Sequence, residues 1–248
     1  YTASQGLLLM IPNMYKIAAE QLPCVFHVSA RTVSTHALNI FGDHSDVMAC
    51  RQTGFAMLCE GNVQEVMDLS PVAHLAALTG KVPFINFFDG FRTSHEIQKI
   101  AVWDYKDLAD MCDMDAVKAF REHALNPEHP AMRGSHENGD TFFQHREACN
   151  QYYDALPEVV EKYMGKINEK LGTNYQLFNY YGAPDADRVI IAMGSICNVA
   201  EEVIDYMNAH GEKVGMVKVH LYRPFRADKL LAAIPATCKA LAVLDRTK

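Results

Sequence analysis

The sequence predicts an α/β protein in which two successive units each contain a mostly parallel sheet with helices on its faces. In the first half of the 248-residue chain, short apolar segments alternate with helical stretches. Residues 82–88 are apolar except for Asn86, which is typical of a strand covered on both faces. A new β-α-β-α-β alternation begins at Arg188. These three observations together indicate a parallel sheet in each half.

The elements of the first half follow from the spacing of its apolar residues. Strands are expected at residues 25–30, 55–59 and 82–88, and helices at residues 63–78, 103–125 and 157–171. Pro71 is expected to kink or restart the first of these helices, while Pro157 starts the last and Gly172 ends it. Several Pro and Gly turn signals lie in residues 126–154, so this stretch is expected to be a long loop.

The second half opens with a turn-rich segment, residues 177–187, which predicts a linker between the two units. Beyond it, strands are expected at residues 189–193, 214–221 and 240–244, and helices at residues 198–209 and 228–234. Gly194 and Ser195 form the turn between the first of these strands and its helix. Free backbone N–H groups at that helix start could bind an anion, although such a turn is more often only structural.

Composition excludes several classes of function. The net charge is −7 and the pI is about 5.9, which argues against a protein that binds nucleic acid or anionic membranes through bulk charge. No run of eighteen apolar residues is present, and the apolar start lacks the basic segment of a signal peptide. The seven cysteines are scattered without a C-x-x-C pair, so we expect reduced cytoplasmic thiols and no disulfide, zinc or iron–sulfur site within this chain.

The strongest candidate site is the end of the first strand, where an apolar segment finishes in Arg31 beside Thr32. Ligands of parallel α/β sheets bind at the carboxyl ends of strands. A planar guanidinium suits a carboxylate because it donates two parallel, charge-assisted hydrogen bonds. Taken alone, an arginine in this position is more often part of an intramolecular salt bridge.

Two further segments contain side chains that could take part in binding or catalysis. Residues 42–46 bring two carboxylates and an imidazole together, which fits a helix cap, polar contacts at a subunit interface or, less well, a divalent metal site. Residues 89–95 follow the buried strand directly and contain Asp89, Arg92, Ser94 and His95. These side chains could do acid–base work or could hydrogen-bond one another to stiffen the loop, and the sequence favours neither interpretation.

Long strings of the chain resemble the N-terminal region of pyruvate:ferredoxin (flavodoxin) oxidoreductases. The resemblance covers essentially the whole chain, and its uncommon strings occur in the family's order. They are residues 4–16, 41–46, 51–56, 87–97, 126–130, 182–186, 221–225 and 244–248.

The resemblance implies a thiamine-enzyme pyrimidine-binding domain over residues 1–176 and the start of a transketolase C-terminal-like domain over residues 177–248. It implies an enzyme that decarboxylates pyruvate on thiamine diphosphate and Mg²⁺, reduces ferredoxin or flavodoxin through 4Fe–4S clusters, and transfers the acetyl group to coenzyme A. Arg31 matches the family arginine that binds the pyruvate carboxylate. No residue of this chain matches a cofactor or metal ligand of the family, whose activating glutamate should precede Tyr1.

Several expectations follow from this resemblance and from the ends of the chain. Because the chain starts at Tyr1 and stops just after a predicted strand, we expect a piece of a longer enzyme that is inactive alone. The enzyme is expected to be a cytoplasmic homodimer of anaerobic metabolism, with no nucleic-acid or membrane partner. The alternatives are a related 2-oxoacid:ferredoxin oxidoreductase with another substrate, or a folded piece without catalytic function.

Overall fold

The computed structural model describes residues 1–247, and Lys248 lies outside the described residues. Its elements, in chain order, are α1 (Ser4–Leu8), α2 (Ile11–Ala19), β1 (Val25–Ala30), α3 (Ser45–Ala49), β2 (Ala56–Glu60), α4 (Val63–Gly80), β3 (Phe84–Asp89), α5 (Tyr105–Met111), α6 (Met114–Glu122), α7 (Gly139–Ala148), α8 (Asn150–Leu171), β4 (Phe178–Gly182), β5 (Arg188–Ala192), α9 (Ile196–Ala209), β6 (Val214–Val219), β7 (Leu221–Arg223), α10 (Ala227–Ala233) and β8 (Ala240–Val243). The mixed α/β class is confirmed.

The first sheet has the strand order β1-β3-β2-β7. β3 is parallel to both β1 and β2, and Phe84 is level with Val25 on one side and Ala56 on the other. Large side chains such as Phe84, Ile85 and Phe87 are fully buried, because one face of the sheet packs on α4 and α8 and the other on α2 and α3. Helices on both faces explain why β3 is apolar apart from Asn86 and its last residue, Asp89.

Helix α4 follows β2 and shows how local sequence positions an element. Its N-cap Asn62 accepts a hydrogen bond from the Glu65 backbone N–H (2.9 Å), while Glu65 accepts one from the Gly61 N–H (2.6 Å). This reciprocal arrangement satisfies free N–H groups of the first turn. The helix continues through Pro71 to Gly80 instead of restarting at the proline.

Three predictions for the middle of the chain were wrong in detail. The single helix expected at residues 103–125 is two helices, α5 and α6, separated by a break at Cys112 and Asp113, where Asp113 caps α6. The long loop expected at residues 126–154 ends at Asn138, and the rest is helical. Helix α8 begins at Asn150 and runs through Pro157, because packing of its apolar face on α4 outweighs the local proline signal.

The second sheet has the order β4-β6-β5-β8, with β5 parallel to β6 and β8. Part of the expected linker is strand β4, which pairs antiparallel with β6 because its aromatic residues suit a sheet. The turn signals act only from its last residue, Gly182, whose φ is +127°. The strand expected at residues 214–221 is divided into β6 and β7, and β7 joins the first sheet antiparallel to β2.

Buried polar contacts also join the two sheets. Lys218 of β6 forms ion pairs with Glu65 of α4 (2.9 Å) and Glu201 of α9 (3.0 Å). Tyr175 donates a hydrogen bond to Asp68 of α4 (2.8 Å). Together with β7, the Lys218–Glu65 ion pair holds the second sheet against the first. Within residues 1–247, no helix is long and apolar enough to cross a membrane.

Candidate functional site

Arg31 directly follows β1, and its backbone is fixed by a buried carboxylate. Asp46 Oδ2 accepts hydrogen bonds from the backbone N–H groups of Arg31 (2.9 Å) and Ser4 (2.8 Å). Ser4 also donates from its hydroxyl to the Thr32 carbonyl oxygen (3.1 Å). Burial raises the pKa of Asp46, although the backbone N–H groups of Arg31, Ser4 and Val47 oppose that shift by favouring the charged form.

The side chain of Arg31 has no partner among residues 1–247. Its Nε is buried without a hydrogen bond, and no carboxylate lies within ion-pair distance of the guanidinium. The intramolecular salt bridge that a strand-end arginine usually makes is therefore absent from the described part of the chain. An orphaned N–H of a buried charged group is costly unless a ligand satisfies it, so this arginine is chemically suited to an external anion.

Two glycines allow the backbone to close around Arg31. A Cβ at Gly90 would lie 2.4 Å from the Ala30 carbonyl oxygen and 2.6 Å from Arg31 Cγ. Gly42 has a φ of +71°, and a Cβ there would lie 3.2 Å from the Gly90 carbonyl oxygen. We call Gly42 and Gly90, which pack around Arg31, the glycine cradle. A cavity of about 540 Å³ adjoins it and is lined by residues 35–41, Thr32 and Asp43. The buried Thr32 hydroxyl also has no hydrogen-bond partner.

Asp89, the last residue of β3, is the centre of a junction between the two sheets. Its Oδ1 accepts a hydrogen bond from His44 Nε2, and its Oδ2 accepts from the Ser195 backbone N–H (3.0 Å) and hydroxyl. Arg246 Nη1 is 2.6 Å from the same oxygen. Burial would raise the pKa of Asp89, but its contacts with His44, Ser195 and Arg246 outweigh it and lower the value to about 2.

The same junction shows what the turn at Gly194 and Ser195, a possible anion site by its sequence, contacts in the fold. One backbone N–H at the start of α9, that of Ser195, does meet an anion, and the anion is the carboxylate of Asp89 in the same chain. Gly194 has a φ of +81°, and a Cβ there would lie 2.9 Å from Asp89 Oδ1. The glycine is therefore required both for its conformation and for the close approach of the carboxylate.

The two carboxylates and the imidazole of residues 42–46 contact different partners and do not converge on one point. Asp43 accepts a hydrogen bond from the Ser45 N–H (2.8 Å) at the start of α3, His44 contacts Asp89, and Asp46 faces Arg31. Across residues 1–247, no group of three or more His, Cys, Asp or Glu side chains could hold a metal ion. Asp43 thus accepts the first N–H of α3, as the helix-cap interpretation expects, whereas His44 and Asp46 make tertiary contacts within the chain. The interpretation as polar contacts at a subunit interface stays a prediction.

In the loop of residues 89–95, the polar side chains mainly hydrogen-bond one another and nearby backbone. Ser94 accepts from the Phe91 N–H (2.8 Å) and contacts His95 Nδ1 (2.8 Å), while Thr93 donates to the Gly61 carbonyl oxygen (3.3 Å). Arg92 lies over the Phe41 ring at 5.5 Å. The structure thus brings Gly90 against Arg31 and pairs Asp89 with Ala30, whereas Ser94 and His95 form a local turn.

Comparison with known proteins identifies the family of the chain. The family described as pyruvate flavodoxin/ferredoxin oxidoreductase, thiamine diphosphate-binding, matches residues 1–165. A second family, pyruvate:ferredoxin oxidoreductase core domain II, matches residues 186–248. The chain belongs to the pyruvate:ferredoxin/flavodoxin oxidoreductase family.

Individual relatives of this oxidoreductase family cover the whole chain. It is 64% identical to a pyruvate-flavodoxin oxidoreductase of Enterobacter agglomerans and 62% identical to a pyruvate:ferredoxin oxidoreductase of Moorella thermoacetica, over 248 residues in each case. The chain spans only 21% of the length of these relatives. A solved 2-oxoglutarate:ferredoxin oxidoreductase from Magnetococcus marinus, with 2-oxoglutarate, coenzyme A and succinyl-CoA bound, supports the fold: its TM-score is 0.63 at 19% identity, over 97% of this chain and 44% of that one.

The residues of this oxidoreductase segment fit only part of the cofactor chemistry of the family. The unpartnered guanidinium of Arg31 and the hydroxyl of Thr32 can bind an anionic substrate group. Among residues 1–247, no three His, Cys, Asp or Glu side chains converge as a metal ion would require of a site built from such a group. Three of the cysteines, Cys50, Cys59 and Cys197, are buried free thiols, and burial is the largest cause of their raised pKa.

Sequence reasoning missed two residues that fix this family member's site and one buried carboxyl at the end of the neighbouring strand β2. Asp46 was considered only within its own string, although it fixes Ser4 and Arg31. Arg246 carried no local signal beyond the end of a strand. Glu60 ends β2 fully buried, and neither of its carboxyl oxygens has a hydrogen-bond partner. Its pKa is raised well above the usual value by burial and then by the charge of Glu65, and the nearby Asn86 only partly opposes this.

Proposed function

We propose that this chain is part of a thiamine diphosphate-dependent oxidoreductase that oxidatively decarboxylates pyruvate to acetyl-CoA and CO₂. Electrons pass through 4Fe–4S clusters to ferredoxin or flavodoxin. Support comes from the family membership and from relatives that carry this name at more than 60% identity. Because the chain spans about a fifth of those relatives, the Mg²⁺ site, the clusters and the coenzyme A site are assigned to other parts of the longer enzyme.

The unpartnered guanidinium of Arg31 is the observation that carries the substrate assignment. Thiamine diphosphate, when bound, supplies the electron sink that makes loss of CO₂ possible. Arg31 binds the carboxylate of pyruvate through its two-pronged guanidinium and thereby orients the carbonyl group toward the cofactor. Its role is binding and orientation, because a guanidinium offers fixed N–H donors and no acceptor.

We further propose the boundaries and assembly of the segment. Residues 1–176 form the larger part of a pyrimidine-binding domain, and residues 177–248 begin a transketolase C-terminal-like domain, from which β7 reaches back to the first sheet. The intact enzyme is a cytoplasmic homodimer that acts without nucleic acid or membrane. The isolated chain is inactive, and pyruvate-dependent dye reduction by the purified 248-residue polypeptide would contradict this.

The decisive experiment measures pyruvate kinetics of the oxidoreductase that contains this chain, with Arg31→Lys and Arg31→Ala. Loss of a charge-assisted pair costs about 1.5–3 kcal/mol, so Arg31→Ala should raise the KM for pyruvate roughly 10- to 100-fold. Arg31→Lys should raise the KM for pyruvate less, because lysine keeps the charge but lacks the planar guanidinium that donates two parallel hydrogen bonds. The KM for coenzyme A serves as the internal control and should not change.

An unchanged KM and kcat for pyruvate in Arg31→Ala would refute this role. Turnover of a panel of 2-oxoacids by the wild-type enzyme tests the substrate class separately. Preference for pyruvate over 2-oxobutyrate and over aromatic or branched oxoacids is expected. A reversed preference would identify a related 2-oxoacid oxidoreductase that uses the same carboxylate contact.

A further inference from the structure

Arg246 lies just beyond β8 of the second sheet, yet its contacts are with segments around Arg31. Its Nη1 is 2.6 Å from Asp89 Oδ2, and its Nη2 donates to the Phe41 carbonyl oxygen at 2.7 Å. Its own carbonyl oxygen accepts a hydrogen bond from the His44 N–H at 2.7 Å. One residue of the second unit therefore holds both the end of β3 and the segment of residues 41–44.

Both of these segments press directly on Arg31. Gly90, the residue after Asp89, donates its N–H to the Ala30 carbonyl oxygen (2.8 Å), and the Arg31 stem lies against its Cα, with no room for a Cβ. Gly42 packs beside the Gly90 and Ala30 carbonyl oxygens. Because protein interiors are close-packed, a shift of either segment displaces the Arg31 side chain.

We infer that Arg246 is a positioning residue for the substrate carboxylate: by bridging Asp89 and Phe41 it holds the glycine cradle that aims the guanidinium of Arg31. This inference rests on the proposed function, because it concerns the same anion site. Arg246 itself does not touch the substrate. It makes the geometry of the first unit's site depend on the docking of the second unit, so that the site is complete only when the two sheets are joined.

The chain offers a matched control for this inference. Arg226 also joins the two units through a carboxylate, since its Nη1 pairs with Glu158 of α8. It also pairs with Asp228 at 2.7 Å, and none of its contacts involves residues 41–44 or the end of β3. An effect of Arg246 that comes only from weaker attachment of the second unit should be reproduced at Arg226.

The experiment compares Arg246→Met, Arg246→Lys and Arg226→Met in the intact oxidoreductase. Misplacement of a binding group by about 1 Å can cost on the order of a hundredfold, so Arg246→Met should raise the KM for pyruvate tenfold or more. Arg246→Lys keeps the charge beside Asp89 and should recover part of this loss. Arg226→Met should not change the KM for pyruvate. None of the three variants should change the KM for coenzyme A.

The double variant Arg31→Ala/Arg246→Met completes the test. If Arg246 acts through Arg31, adding Arg246→Met to Arg31→Ala should not raise the KM for pyruvate further. Additive effects, or equal effects of Arg246→Met and Arg226→Met, would overturn the inference while leaving the role of Arg31 intact. If Arg31→Ala alone has no effect, the proposed function of Arg31 fails first. Should Arg246→Met not fold, the lysine variant and its combination with Arg31→Ala give the same two readouts.

Discussion

Asp89 and Glu60 end neighbouring parallel strands of the same sheet, and both are almost inaccessible to solvent, with 3% and 0% of their surfaces exposed. Their pKa values nevertheless move in opposite directions. Contacts with His44, Ser195 and Arg246 overcome the effect of burial at Asp89 and lower its pKa to about 2. Burial and the charge of Glu65 raise the pKa of Glu60 well above its usual value. Burial alone therefore does not decide which carboxyl stays charged.

The difference comes from what each strand end meets. Asp89 points to the place where α9, the end of β8 and the segment before α3 converge, and each supplies a donor. Glu60 faces the start of α4, where the capping Glu65 carboxylate already takes the Gly61 N–H. A buried charge with several donors is stabilised, whereas one without donors is forced toward its neutral form. Matched changes of carboxyl to amide can test this comparison.

Asp89→Asn should have the largest effect. A pKa lowered from 3.8 to about 2 corresponds to about 2 kcal/mol of folding free energy. Since the folded pKa is below the unfolded one, this contribution is fully present above about pH 4 and is lost as the pH falls toward 2. Urea unfolding of the chain at pH 7 should show the full loss, and the stabilities of wild type and Asp89→Asn should converge near pH 2. A constant difference across that range would contradict the assignment.

Glu60→Gln should have a smaller effect of the opposite sign. A carboxyl whose folded pKa is raised contributes its stability below the unfolded value, near 4.5, and loses it as the pH rises through the folded value. The amide variant removes this loss, so it should unfold at an equal or higher urea concentration at pH 8, with a gain of about 1 kcal/mol. Urea midpoints of both proteins at pH 5 and pH 8 provide the measurement. A destabilised Glu60→Gln at pH 8 would show that the charged form of Glu60 has a partner.

The same contrast explains how far the sequence could predict this structure. The strand at residues 25–30, the buried strand ending at Asp89 and the second α/β alternation follow from periodicity alone, because each reports local burial. Turn signals were misleading at Pro157 and before Gly182, where packing on α4 and pairing with β6 prevailed. The candidate Arg31 could be found because strand ends form ligand sites.

The surroundings of Arg31 could not be found in this way. Asp46 lies 15 residues along the chain from its partner Arg31. Arg246 lies 157 residues from its partner Asp89. No local pattern encodes a contact of that separation. Glu60 is a further case, since a glutamate at a strand end predicts exposure, and only the fold shows that α4 covers it. Local periodicity thus predicts elements and strand-end sites, while the charge state of those sites depends on tertiary contacts.

Glu212→Gln should have the smallest effect and sets the baseline for the other two changes. Glu212 pairs with Arg188, as Asp89 pairs with Arg246, but the side chains of this surface pair are 46% and 52% exposed. Exposed ion pairs contribute little because water solvates both partners and salt screens them. The urea midpoint at pH 7 should therefore equal that of wild type within error, in low salt and in 0.5 M salt alike. If Glu212→Gln destabilised the chain as much as Asp89→Asn, ion pairing by itself would account for the Asp89 effect. The several buried donors around Asp89 would then not be needed to explain it.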